Sequence, residues 1–177
     1  MEQHSIPSIY YKDVRINICD PCDDLVTWML DKILKECDDN NIRSWYTNWK
    51  NKDLWYCTVA TAQGSPISIA GAKKDGKVLC YLYTLKEHRI KHRGIPQMDF
   101  MRVFVDKAIG DTLYMGVHAF TKKHEKLARS YNRQIMSGVP RELQPYAGKW
   151  KYEGVQEYRN SQQHIHRLYL NKFKQNG

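Results

Sequence analysis

No stretch of the 177 residues approaches the roughly 18 consecutive apolar residues that a membrane-crossing helix needs, so a bilayer-spanning chain is not expected. Met1 to Tyr11 lacks a basic cluster followed by an apolar run, which argues against a secretory leader and makes the cytoplasm the expected location. Cysteines are few and odd in number: five, at positions 19, 22, 37, 57 and 80. Three of them lie in segments that read as core strand or helix, which favours reduced thiols over a disulfide framework. Internal repeats and low-complexity tracts are absent, and 177 residues suit one domain, residues 1–177, around one core. Acidic residues are scarce beyond the first forty positions. That stretch holds four Lys/Arg against nine Asp/Glu, while the whole chain carries +9, so the remainder carries +14. Such a field attracts polyanions, either nucleic acid or the phosphates of a nucleotide cofactor.

Apolar residues make up 42% of the chain, enough for a buried core. Val14 to Cys19 (VRINIC) alternates and is β-branched, the pattern of a strand. Asp20-Pro21-Cys22-Asp23 reads as a helix start, with Asp20 as cap and Pro21 in the first helical position. The helix runs to about Cys37, with Leu25, Trp28, Met29, Ile33 and Cys37 on its apolar side, and Asp38 to Asn41 ends it. Residues 42–53, with Trp45, Tyr46 and Trp49, fit either a short second helix or an aromatic loop.

Three strands follow: Leu54 to Ala62, Ile67 to Ala72 and Val78 to Leu85. The turns are Gln63-Gly64-Ser65-Pro66 and Lys74-Asp75-Gly76-Lys77, so the segment predicts an antiparallel meander. A helical period covers Pro96 to Ile109, with Met98, Met101, Val105 and Ala108 on one side. Leu113 to Phe120 reads as a strand, and strand, helix, strand implies a crossover between two parallel strands. Thr121 caps another helix bearing Leu127, Ala128, Tyr131 and Ile135. Trp150 to Arg159 and His164 to Leu170 flank a turn at Asn160 to Gln163. The predicted fold is α/β, a mixed sheet with helices on both faces, in the order β-α-βββ-α-β-α-ββ.

Between the third meander strand and the next helix lies YTLKEHRIKHRG, Tyr83 to Gly94. With the element order, this segment resembles the GNAT (Gcn5-related N-acetyltransferase) superfamily over nearly the whole chain. The family carries Q/R-x-x-G-x-G/A there, which holds the pyrophosphate of coenzyme A. Arg89 matches the first position and Gly94 the last, while His92 stands where the family has its middle glycine. Physically, a helix N-terminus preceded by Arg89, Lys91 and Arg93 suits a pyrophosphate, and Gly94 and Ile95 complete the approach.

The resemblance implies that acetyl-coenzyme A, or another acyl-coenzyme A, is the donor and an amine the acceptor. It implies that backbone amides near Leu85 hold the acyl carbonyl, with the pantetheine arm between this strand and Leu113 to Phe120. It also implies that Tyr131 protonates the departing thiolate. A phenol with a pKa of about 10 can serve as that acid if held near the sulfur. For the general base the candidates are His118, Glu87 or a water chain.

Two other chemistries compete. Cys19-Asp20-Pro21-Cys22 sits between strand and helix, as dithiol oxidoreductases arrange their site, although Asp20, Asp23 and Asp24 disfavour thiolate there. Nucleic acid is the stronger rival. Lys122, Lys123, Lys126, Arg129 and Arg133 crowd one helix, and the last hairpin mixes basic residues with Trp150, Tyr152, Tyr158 and Tyr169.

Overall fold

The alternating run VRINIC forms a strand in the computed structural model of the chain, which describes residues 8–74, 78–90, 114–118, 147–158 and 161–170. These fall into two compact units. The first holds 8–74 and 80–90; the second holds 78–79, 114–118, 147–158 and 161–170.

In the first unit, strands β1 (Ser8–Tyr11), β2 (Val14–Cys19), β3 (Leu54–Ala62) and β4 (Ser65–Lys73) pair antiparallel in chain order. β1 is an addition to the predicted order. β4 starts two residues earlier than its pattern suggests, because Gln63 and Gly64 alone make the turn, with φ of 52° and 79°. Both central residues being left-handed is the geometry that matches strand twist in a two-residue hairpin. Pro66 therefore lies inside β4, opposite Thr61, where the register shifts and a missing N–H costs least. The later part of β5 (Val78–Thr84) lies beside β4, since Leu85 N–H donates to the Ile67 carbonyl at 2.9 Å.

Helix α1 (Asp24–Glu36) packs on β3 and β4. Val26, Met29 and Ile33 are fully buried against a cluster that includes Val59 and Ile69. Each such side chain stabilises the fold by roughly 1.5–3 kcal/mol relative to exposure. Asp23, rather than Asp20, caps the helix: its carboxylate accepts from Leu25 N at 2.8 Å. Asp20 instead closes the preceding turn, accepting Cys22 N on its side chain and Asp23 N on its carbonyl. Pro21 sits in that turn, where its fixed φ is equally at home. Trp28 is 46% exposed with Lys32 Nζ 5.2 Å above its ring, so the buried stripe passes through Val26 instead.

The ambiguous aromatic segment is helical. Asp39 accepts from Asn41 N and Ile42 N to cap α2 (Asn40–Tyr46), and a 3-10 turn follows at Trp49–Asn51.

In the second unit, Val78 and Leu79 at the start of β5 pair in parallel with Tyr114 and Met115 of β6 (Tyr114–His118). β6 pairs antiparallel with β8 (Ser161–Leu170), and β8 with β7 (Ala147–Tyr158). The final hairpin is longer and tighter than its pattern suggested: Tyr158 pairs with Ser161, so Ser161 to Gln163 belong to the strand. Gly154, at φ +87°, sits where β7 slips register between Tyr152 and Val155. The result is a mixed α/β fold with the predicted antiparallel meander, one parallel pair and a closing hairpin. The helices predicted at 96–109 and after Thr121 lie outside the described residues. Among the described residues, no helix is long and apolar enough to cross a membrane.

Candidate active site

β5 reads VLCYLYT, and its exit carries most of the candidate residues. Tyr83 and Leu85, two apart, are both buried. Tyr81, one step earlier in that series, has φ 57°, a left-handed backbone in the middle of a strand. For a bulky residue this is a strained conformation, which persists only when its surroundings over-determine it. Here those surroundings are aromatic. Tyr46 donates its hydroxyl to the Tyr81 carbonyl at 2.9 Å, and its ring meets those of Tyr81 and Tyr83 edge-on. Trp49 stacks on Tyr46 at 5.9 Å and meets Tyr81 edge-on at 5.7 Å, while its Nε1 donates to the Pro21 carbonyl. Tyr46 and Trp49 are thus core residues of the first unit.

Beyond Tyr81 the chain is held by polar groups. The Tyr83 hydroxyl donates to Glu36 Oε2 at 2.8 Å, and the Lys86 N–H donates to the same oxygen at 3.0 Å. Lys86 Nζ donates to the Glu36 carbonyl at 3.0 Å. Buried Ser68 on β4 donates to the Tyr83 carbonyl at 3.1 Å and shares a hydrogen bond with Thr84 Oγ1 at 2.8 Å. Burial pushes the Tyr83 phenol well above its ordinary value, and the hydrogen bond and charge of Glu36 add to this. Tyr83 therefore remains a neutral donor across the physiological range.

The chain then makes a 3-10 turn, Lys86–His88, closed by His88 N to the Leu85 carbonyl and Arg89 N to the Lys86 carbonyl. Arg89 follows at once. Its Nε donates to the Thr84 carbonyl at 2.8 Å and its guanidinium lies 5.1 Å over the Tyr83 ring. Among the described residues no partner meets its two terminal nitrogens, which leaves a fork suited to an anion.

Of the predicted site residues, Leu85, Glu87 and Arg89 come together on this turn. Glu87 is exposed, with its Oε1 3.2 Å from His88 Nε2. The Leu85 N–H donates to the Ile67 carbonyl and that of Lys86 to Glu36 Oε2. The reason is that β5 keeps its ladder with β4 through Leu85, and a buried N–H takes a partner. His118 ends β6 in the second unit, its backbone paired with Gln163. Lys91, Arg93, Gly94, Ile95 and Tyr131 lie outside the described residues, as does the basic helix from Lys122 to Arg133.

Glu36, Tyr83 and Ser68 were not predicted. Only Glu36 left a trace in the sequence: three residues after Ile33, it occupies a position where the apolar stripe of α1 would continue.

Cys19, Cys22, Cys37 and Cys57 are free, and burial, then Asp23 and Asp20, pushes the Cys19 thiol up from 9.0 to about 12. A thiol so held is not a nucleophile at neutral pH.

No family model and no curated protein matches the chain. Solved structures do. An aminoglycoside 6'-N-acetyltransferase complexed with coenzyme A superposes with a TM-score of 0.52 at 15% identity, over 88% of this chain and 96% of that one. An acyl-CoA N-acyltransferase from Pseudomonas aeruginosa gives 0.52 at 13% identity, over 87% of this chain and 98% of that one. The chain has the fold of the GNAT superfamily. The turn carrying Arg89 directly follows β5.

Proposed function

We propose that this protein is an acyl-coenzyme A-dependent N-acyltransferase, with residues 1–177 as one catalytic domain and acetyl as the acyl group. The observation that carries this reading is Arg89, an exposed guanidinium wired by its Nε and by the Tyr83 ring to the exit of β5 in a GNAT fold. Arg89, Lys91 and Arg93 would hold the pyrophosphate, with Gly94 and Ile95 giving the backbone its approach. Bound in this way, the cofactor would supply the acyl group as a thioester, activated toward an amine.

The chain's own groups then manage protons. As the amine nitrogen bonds the acyl carbon, His118 or Glu87 takes the proton that the amine releases. Tyr131 would supply the proton that the departing thiolate needs. Free thiols at four described cysteines suit a reducing compartment, and so a cytoplasmic enzyme.

Calorimetric titration with acetyl-coenzyme A, repeated on Arg89→Ala and Arg93→Ala, tests the reading. Micromolar binding that weakens in both variants supports it. No binding at millimolar cofactor would mean that the fold is used for something else. Tyr131→Phe should lower turnover and spare cofactor binding, and unchanged turnover would remove Tyr131 from the mechanism.

A further inference from the structure

Arg89 is not held by its neighbours in sequence alone. Its backbone N–H rests on the Lys86 carbonyl, and its guanidinium rests on the Tyr83 ring. Its Nε rests on the Thr84 carbonyl, whose residue is tied through Ser68 back to the Tyr83 carbonyl. Two of these three supports, Tyr83 and Lys86, are fixed by one atom, Glu36 Oε2. The second tie, Lys86 Nζ to the Glu36 carbonyl, binds the turn to the end of α1 as well.

Glu36 itself is set by α1, whose neighbouring Ile33 and Cys37 are buried in the core. A half-buried carboxylate is costly to hold unless it is hydrogen-bonded, and this one accepts from a hydroxyl and an amide at charge-assisted strength.

We infer that Glu36 is a positioning residue for Arg89, fixing the guanidinium for the anionic end of the cofactor through Tyr83 and Lys86. The inference rests on the acyl-coenzyme A reading. It adds to that reading a residue on α1, far in sequence from the pyrophosphate motif. Glu36 touches no cofactor atom in this scheme. Its effect on binding passes through Arg89, and this separates it from a residue that merely stabilises α1.

The experiment is a double-mutant cycle on full-length protein, with coenzyme A binding followed by calorimetry. Glu36→Ala should weaken coenzyme A roughly fivefold or more, in the range of coupled contacts. Glu36→Gln keeps an acceptor oxygen and should restore most of the affinity. In the Arg89→Ala background, Glu36→Ala should cause no further loss. Tyr83→Phe keeps the ring and removes one tie, so it should fall between wild type and Glu36→Ala. It carries the same cycle with Arg89 if Glu36→Ala does not fold.

Losses that multiply in the double variant, or wild-type affinity in Glu36→Ala, would overturn the inference and leave the acyl-coenzyme A reading standing. A wild-type protein that binds no coenzyme A would overturn both.

Discussion

The middle and the exit of β5 are held by opposite means. At Tyr81 a strained backbone, φ 57°, is kept in place by ring packing from Tyr46 and Trp49, with Lys52 and Lys73 over the Tyr81 ring. A few residues later, Tyr83 to Arg89 are kept in place by a carboxylate, two hydroxyls and a stacked guanidinium. Packing restrains without direction, through area and shape, and so it can offset a backbone strain of about 1–3 kcal/mol. Hydrogen bonds restrain by direction, and so they can aim a group. Damage to the middle should therefore appear as lost stability, and damage to the exit as lost binding.

The largest effect expected is on the packed side. Tyr46→Ala should cost about 3–5 kcal/mol in chemical unfolding, as deletion of a buried aromatic ring does. The protein that remains folded should keep its coenzyme A affinity. A cost under about 1 kcal/mol would show that Tyr81 is held from elsewhere. Next comes Arg89→Ala, which should weaken coenzyme A at least tenfold, since a charge-assisted hydrogen bond is worth roughly 1.5–3 kcal/mol. Being exposed, it should change stability by no more than about 0.5 kcal/mol. Equal effects on binding and stability would erase the contrast between the two ends.

Tyr46→Phe sharpens it further. Removing the hydroxyl leaves the packing and takes only the bond to the Tyr81 carbonyl, for about 1 kcal/mol of stability.

The smallest effect lies in alkaline solution. Cys19 keeps its proton in the fold to about pH 12 but loses it near 9.0 when unfolded, and Tyr83 is likewise raised. The unfolded chain then binds fewer protons, so stability should fall as pH rises above 9. Melting temperatures from pH 8 to 11 should show this fall, with its later part reduced in Tyr83→Phe and its earlier part in Cys19→Ala. Maleimide at neutral pH should label Cys22 and leave Cys19 intact, as peptide mapping would show.

Much of this architecture was legible because it is written locally. VRINIC and LWYCTVATA alternate, Met29, Ile33 and Cys37 recur at helical spacing, and turn residues separate the meander strands. Even so, Asp20 outbid Asp23 as the cap on sequence grounds, because Asp-Pro is as good a turn as it is a helix start. Trp28 passed for a core residue because periodicity does not say which side of a wide stripe is covered.

Arg89 stands out in the sequence within a basic segment, and Leu85 only as a strand end. Whether its amide was free depended on Ile67, a residue of another strand. Short-range spacing and composition thus determined the strands from β2 onward, α1 and the basic turn after β5. Tertiary structure alone decided the strain at Tyr81, the engagement of the Leu85 amide and the link from Glu36 to Arg89. Those depend on groups up to 50 residues apart meeting at hydrogen-bond distance, and no local pattern encodes such a meeting.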